Sequence, residues 1–148
     1  MKKYSAGFIL KNGKILLGLR SKNKILYPDV WDFIGGNCEA DESYEKALIR
    51  EIKEEIGIDV LTFQKVFFIE QPDEAIGLCI FNITKWKGTI ENKQSEEHQE
   101  LGWFTFSELH NLKFPRKEYE CIFKAIKDLC LTNPKRTTQI FSMAGNYI

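Results

Sequence analysis

The sequence predicts a mixed α/β fold, on three observations. Short β-prone apolar runs recur through its first two thirds, two stretches repeat apolar residues at helical spacing, and compact turn signals separate them. No internal repeat, low-complexity stretch or linker interrupts the pattern, so all of residues 1–148 read as one domain, long enough to enclose a sizeable core.

The elements follow in order. Tyr4–Leu10 and Ile15–Leu19 are apolar strand candidates, and Asn12-Gly13 between them is a two-residue hairpin signal. Residues 21–30 are polar, with Tyr27-Pro28-Asp29 as turn punctuation. Val30–Ile34 reads as a short strand delivering the chain to Gly35-Gly36. The segment from Glu42 to Ile56 is helical, with Ser43 as N-cap and Gly57 placed for a left-handed C-terminal turn. Val60–Glu70 and Ile76–Trp86 are strands, and Lys87-Gly88 ends the second. Residues 89–100 form a polar loop. Gly102–Phe106 is a short strand, Ser107–Asn111 a helical turn and Lys117–Leu131 an amphipathic helix. The tail after Asn133-Pro134 has too weak a period to assign.

Charge and cysteine usage exclude several function classes. Lys plus Arg equals Asp plus Glu at 21 each, so no global field attracts nucleic acid. No leader-like segment and no long apolar run is found, which predicts a cytoplasmic protein without membrane insertion. Cys38, Cys79, Cys121 and Cys130 form no C-x-x-C pair and fit no zinc spacing, so they read as reduced thiols. His110 reads as surface, and Lys22 and Lys24 as solvated.

The first helix concentrates chemistry. At about 100° per residue, Tyr44, Leu48, Ile52 and Ile56 form one apolar stripe. Glu51, Glu54 and Glu55 fall at i, i+3 and i+4 and share a face bordering that stripe, with Lys46, Arg50 and Lys53 further round toward the outer side. An ordinary solvated helix places charges opposite its apolar face and mixes their signs. Three like charges beside the buried edge repel one another and raise their pKa values, a cost that a bound divalent cation reverses. Carboxylate oxygens suit a hard cation such as Mg²⁺, which shares its shell with waters and substrate phosphates. Gly35-Gly36 lets backbone approach a ligand closely. Arg50 can fork onto a neighbouring carboxylate and fix its orientation. The bland alternative is a helix whose glutamates only confer solubility.

Gly36, Glu42, Arg50, Glu51, Glu54, Glu55 and Gly57, with Ile52 and Ile58 in the aliphatic slots, complete the pattern G-x5-E-x7-R-E-U-x-E-E-x-G-U. This resembles the Nudix box. The resemblance extends over about Tyr4 to Phe106, through Ile15–Arg20, Tyr27-Pro28 and Trp31-Asp32-Phe33-Ile34-Gly35-Gly36. Ile34 stands where relatives usually have Pro, and Asn37 where they often have His or Lys. Trp86-x-Gly88 and Glu96-Glu97-His98-Gln99-Glu100 before Trp103-Phe104 are similar to a further stretch of the small mutator-type nucleoside triphosphate pyrophosphohydrolases.

The resemblance implies a Nudix α/β/α sandwich with a mixed sheet and a catalytic loop-helix-loop. It also implies a Mg²⁺-dependent hydrolase, with Mn²⁺ as substitute, converting a nucleoside triphosphate, oxidised or modified ones included, to monophosphate and pyrophosphate. Metal ligands would come from Glu51, Glu54, Glu55, Gly35 and Gly36. Catalytic roles would fall to Glu54, Arg50 and a loop glutamate, Glu100 first and Glu97 second. Arg20, Phe33, Gly35, Gly36 and Glu42 would bind substrate. His98 reads as structural or exposed. The expected partner is a small nucleotide, with no specific nucleic acid and no membrane, and the protein a monomer or homodimer. ADP-ribose or another nucleotide-sugar diphosphate is the runner-up substrate. A catalytically silent nucleotide sensor is the rival of another class, and turnover with Mg²⁺ separates them. No Asn stands in the Phe114–Glu118 region to assign a base.

Overall fold

The computed structural model describes residues 1–130 and the pairing of residues 141 and 142. Two sheets share one core. The first has the order β5-β1-β7-β6-β9, from Ile34–Asn37, Lys2–Phe8, Ile76–Lys87, Asp59–Gln71 and Phe141–Ser142. The second joins β2 (Leu10–Lys11), β3 (Lys14–Arg20) and β4 (Trp31–Asp32), with β8 (His98–Thr105) on the other edge of β3. Directions are mixed: β1 runs parallel to β7 and antiparallel to β5, and β6 with β7 forms a long antiparallel hairpin.

Strand alternation divides the core. Cys79, Phe81 and Ile83 of β7 face the first helix, α1 (Tyr44–Ile56), while Leu78 and Ile80 face the second, α2 (Tyr119–Cys130). Likewise Leu16 of β3 points to the α1 side, and Ile15 and Leu17 to the α2 side. Both faces are covered, which is why the central strands read as near-continuous apolar runs.

Two expected strands prove divided. Tyr4–Leu10 breaks at Ile9 into β1 and β2, and Val30–Ile34 breaks at Phe33 into β4 and β5. At each break the chain leaves one sheet for the other, so a continuous apolar run serves two ladders. The hairpin turn holds as expected, with Asn12 and Gly13 at φ of 54° and 75°. The polar loop is shorter than expected, because His98, Gln99 and Glu100 already belong to β8 and pair toward Leu19 and Arg20.

Helix α1 begins at Tyr44, so Glu42 lies ahead of it rather than inside. Ser43 is extended, at φ −71° and ψ 161°, and its Oγ accepts the Lys46 N–H at 3.1 Å. Leu48, Ile52 and Ile56 are at most 1% exposed, each burial stabilising by roughly 1.5–3 kcal/mol. Gly57 ends the helix at φ 77° with its N–H donating to Lys53 O. Helix α2 is shorter at its start than the expected Lys117–Leu131, and Leu131 lies outside the described residues.

A side chain at Gly57 would meet only the flexible end of Lys93, so its cost is conformational. Gly57→Ala should lower unfolding free energy by about 1–2 kcal/mol, read from urea denaturation. An unchanged midpoint would show that the left-handed turn does not limit stability.

Candidate functional site

The site is assembled by three segments: strand β5, whose Gly35 and Gly36 make the glycine loop of the sequence pattern, helix α1, and the start of β8. Gly36 sits directly against Glu51: a Cβ there would lie 2.8–2.9 Å from the carboxylate atoms. Only glycine lets the loop backbone approach that carboxylate so closely.

Arg50 binds the loop to the helix. Its Nε and Nη2 donate to the two oxygens of Glu42 at 2.9 and 2.8 Å. Nη2 also donates to the Asn37 carbonyl at 3.0 Å, and Nη1 to Glu51 at 2.9 Å and Glu54 at 3.4 Å. The guanidinium is therefore turned inward among carboxylates, not toward the outer face as helical spacing alone suggested. The fork geometry of Arg makes this possible. The bonds from Arg50, aided by the Glu39 N–H, hold the Glu42 carboxyl down at about 2. The same bonds raise the Arg50 pKa, the contact with Glu42 foremost.

Glu55 behaves differently. It is 1% exposed, and its Oε1 pairs with His98 Nε2 at 2.9 Å. Its other oxygen, Oε2, is buried and has no hydrogen-bond partner among the described residues. Burial pushes its pKa well above the usual carboxylate range; the bond to His98 opposes this, while the charges of Glu51 and Glu97 add to it. Expected mutual repulsion is thus the smaller cause here, and desolvation the larger.

Of the two loop glutamates, Glu97 is the one whose charge acts on Glu55. It pairs with Lys24 at 2.6 Å, so Lys24 is an ion-pair partner rather than a free solvated lysine. Glu100 is exposed and in register with Leu19. Leu101 and Trp103 pack on the α1 side, so alternation turns Glu100 to the opposite face. The bulge between Leu19 and Arg20 absorbs Gln99 and brings His98 beside Gly18, on the Glu55 side. Glu100, the first choice from sequence, thus stands on the face away from Glu55.

Two expected substrate contacts are occupied otherwise. Phe33 is 6% exposed and packs on Phe8, Tyr119 and Phe123 as part of the core. Arg20 donates to the Tyr27 and Leu26 carbonyls, both at 2.9 Å, and faces Asp32 at 3.9 Å. It thereby holds the 21–30 loop. Sequence reasoning missed two features. His98 is a buried partner of Glu55, signalled only by its place beside Glu97. Asp32 accepts the Tyr119 hydroxyl at 2.8 Å, and burial raises its pKa against that bond.

Among the described residues, no three His, Cys, Asp or Glu side chains converge closely enough to enclose a metal ion. The donor chemistry nevertheless fits a hard cation: Glu51 lies under the Gly36 backbone, and Glu55 keeps a bare buried oxygen within the influence of Glu51 and Glu97.

A helix with this acidic set, fed by a glycine loop and seated on a mixed sheet, defines a Nudix-type hydrolase, and the comparisons agree. The NUDIX domain family matches residues 1–125. The 8-oxo-dGTP diphosphatase of Buchnera aphidicola subsp. Schizaphis graminum is 33% identical over 109 residues, 74% of this chain and 81% of the relative. The CTP pyrophosphohydrolase of Escherichia coli is 35% identical over 100 residues, 66% of this chain and 71% of the relative. The solution structure of the Escherichia coli ORF135 protein superposes with a TM-score of 0.71 at 29% identity, covering 91% of this chain and 94% of that one. The chain belongs to the Nudix hydrolase family. Nudix hydrolases generally use divalent metal ions. Among the described residues, no helix is long and apolar enough to cross a membrane.

The Glu42–Arg50 pair sets an acid-sensitivity test. A carboxyl lowered from 4.5 to about 2 contributes stability that is full above pH 4.5 and lost as pH falls toward 2. Glu42→Gln should therefore be less stable than wild type at neutral pH, and the two should converge near pH 2. Parallel pH–stability curves in denaturant titrations would show that the pair contributes nothing.

Proposed function

We propose that this chain, as one domain spanning residues 1–148, is a Mg²⁺-dependent, cytoplasmic hydrolase. It would convert a nucleoside triphosphate, oxidised or otherwise modified bases included, to the monophosphate and pyrophosphate. The observation that carries this is the bare buried oxygen of Glu55, set among Glu51 and Glu97 beside the glycine loop. The activities for which the relatives are named, 8-oxo-dGTP diphosphatase and CTP pyrophosphohydrolase, support the substrate class.

Each residue then has a role. Glu51, Glu54 and Glu55, with the Gly35-Gly36 backbone, would hold Mg²⁺ or Mn²⁺. The bound cation would neutralise phosphate charge and lower the pKa of an attacking water. Glu97, held by its ion pair with Lys24, would serve as proton acceptor for the attacking water in place of Glu100. Arg50, anchored by Glu42, keeps Glu51 and Glu54 oriented and offsets their repulsion. The backbone of Gly35 and Gly36 receives the phosphates. Arg20 shapes the adjoining loop, and Phe33 supports the glycine loop from the core.

The test is a panel of nucleoside triphosphates, oxidised nucleotides, ADP-ribose and dinucleoside polyphosphates, with pyrophosphate and phosphate measured separately. Pyrophosphate release should vanish with chelator and return with Mg²⁺ or Mn²⁺; full activity in metal-free buffer would sink the reading. Release of phosphate from ADP-ribose after added phosphatase, with no triphosphate turnover, would replace it with the nucleotide-sugar reading.

Glu54→Gln should lower turnover by about 10²-fold or more. Glu97→Gln should fall by a similar order, while Glu100→Gln stays near wild type. The reverse ranking in steady-state assays would restore Glu100 as the base.

A further inference from the structure

Glu55 is held by one oxygen only. Its Oε1 is taken by His98 Nε2 at 2.9 Å, and its Oε2 is buried and unpartnered among the described residues. Leaving a buried carboxylate oxygen unsatisfied is costly, so the arrangement calls for a ligand or a reason.

His98 is itself rigidly placed. Its backbone N–H donates to the Gln94 carbonyl at 3.0 Å, and its carbonyl accepts the Asn92 side-chain amide at 2.7 Å. Its ring lies flat against Gly18, where a Cβ would stand 2.5 Å from Nδ1. The imidazole is 4% exposed and Nδ1 has no partner. Neighbouring Glu97 is tied by the same loop, its carbonyl accepting the Ser21 N–H at 3.0 Å. One short segment therefore anchors Glu97 by its backbone and clamps Glu55 on α1 through His98.

We propose that His98 is a positioning residue that restricts Glu55 to monodentate coordination through Oε2, and so sets the cation preference of the site. The inference rests on the divalent-cation reading above. Ca²⁺ takes six to eight oxygens and readily accepts a bidentate carboxylate; Mg²⁺ demands a near-octahedral shell with one or two carboxylates and retained waters. A glutamate with one oxygen locked away suits the second ion and disfavours the first. A merely structural pair would add stability, leaving the balance between two cations of equal charge untouched.

The test titrates Mg²⁺ and Ca²⁺ separately into the metal-free full chain by calorimetry, for wild type, His98→Gln, His98→Leu and Gly18→Ala. His98→Gln keeps an N–H donor near the Nε2 position and should keep the wild-type Mg²⁺/Ca²⁺ ratio. His98→Leu frees Oε1 and should shift the ratio toward Ca²⁺ by about tenfold or more, the usual scale for an outer-shell partner of a metal ligand. Gly18→Ala pushes the ring from its seat and should shift the ratio in the same direction, which decides the matter if the leucine variant does not fold. An unchanged ratio in Gly18→Ala or in a folded His98→Leu overturns the proposal. So does a glutamine variant that shifts as far as leucine. A wild-type protein that binds neither cation would instead overturn the metal-dependent function itself. Metal-dependent wild-type turnover with an unmoved ratio removes only the role of His98.

Discussion

The Arg50 guanidinium is the constraint on which the site depends. Five contacts converge on it: two oxygens of Glu42, one each of Glu51 and Glu54, and the Asn37 carbonyl. Without it, the glycine loop and the acidic helix face would share only like charge and backbone proximity. A planar fork can satisfy carboxylates in several directions at once, where an ammonium would act as one point charge. The loop is thus fixed from the helix side by Arg50 and from the sheet side by the pairing of β5 with β1.

The sheets set the depth of the chemistry. Because α1 packs its stripe into the core, the residue at the stripe's border, Glu55, is drawn below the surface, while Glu54 stays near solvent. Adjacent glutamates on one helix so acquire unlike environments, one desolvated and one hydrated. The edge strand β8 completes the pocket wall with His98, through a bulge that turns one residue out of the ladder. Helix geometry gives spacing; tertiary packing gives the difference in character.

Much of this was legible in the sequence where geometry is periodic. The Glu51, Glu54, Glu55 set, the Ser43 cap and the Gly57 turn follow from helical repeat and backbone preference alone. Legibility failed where a tertiary contact decides. Residues 98–100 look polar and loop-like, yet they pair with β3, and the bulge turns His98 to the side of the helix where it meets Glu55. Phe33 sits at a crossing between sheets, so its side cannot be read from simple alternation. Arg50 lies on the flank of the helical wheel, but the loop folding over it turns that flank inward.

The parallel pairing of β1 with β7 has a kinetic meaning. The β6–β7 hairpin is local and can form within microseconds, whereas β1 must wait for a partner far along the chain, Tyr4 for Leu78. The β5 strand and its glycine loop hang on β1, so they settle only after that long closure. During synthesis the acidic helix therefore emerges well before the wall that faces it. The wall of the site thus depends on contacts of high sequence separation, the kind whose closure costs the most chain entropy.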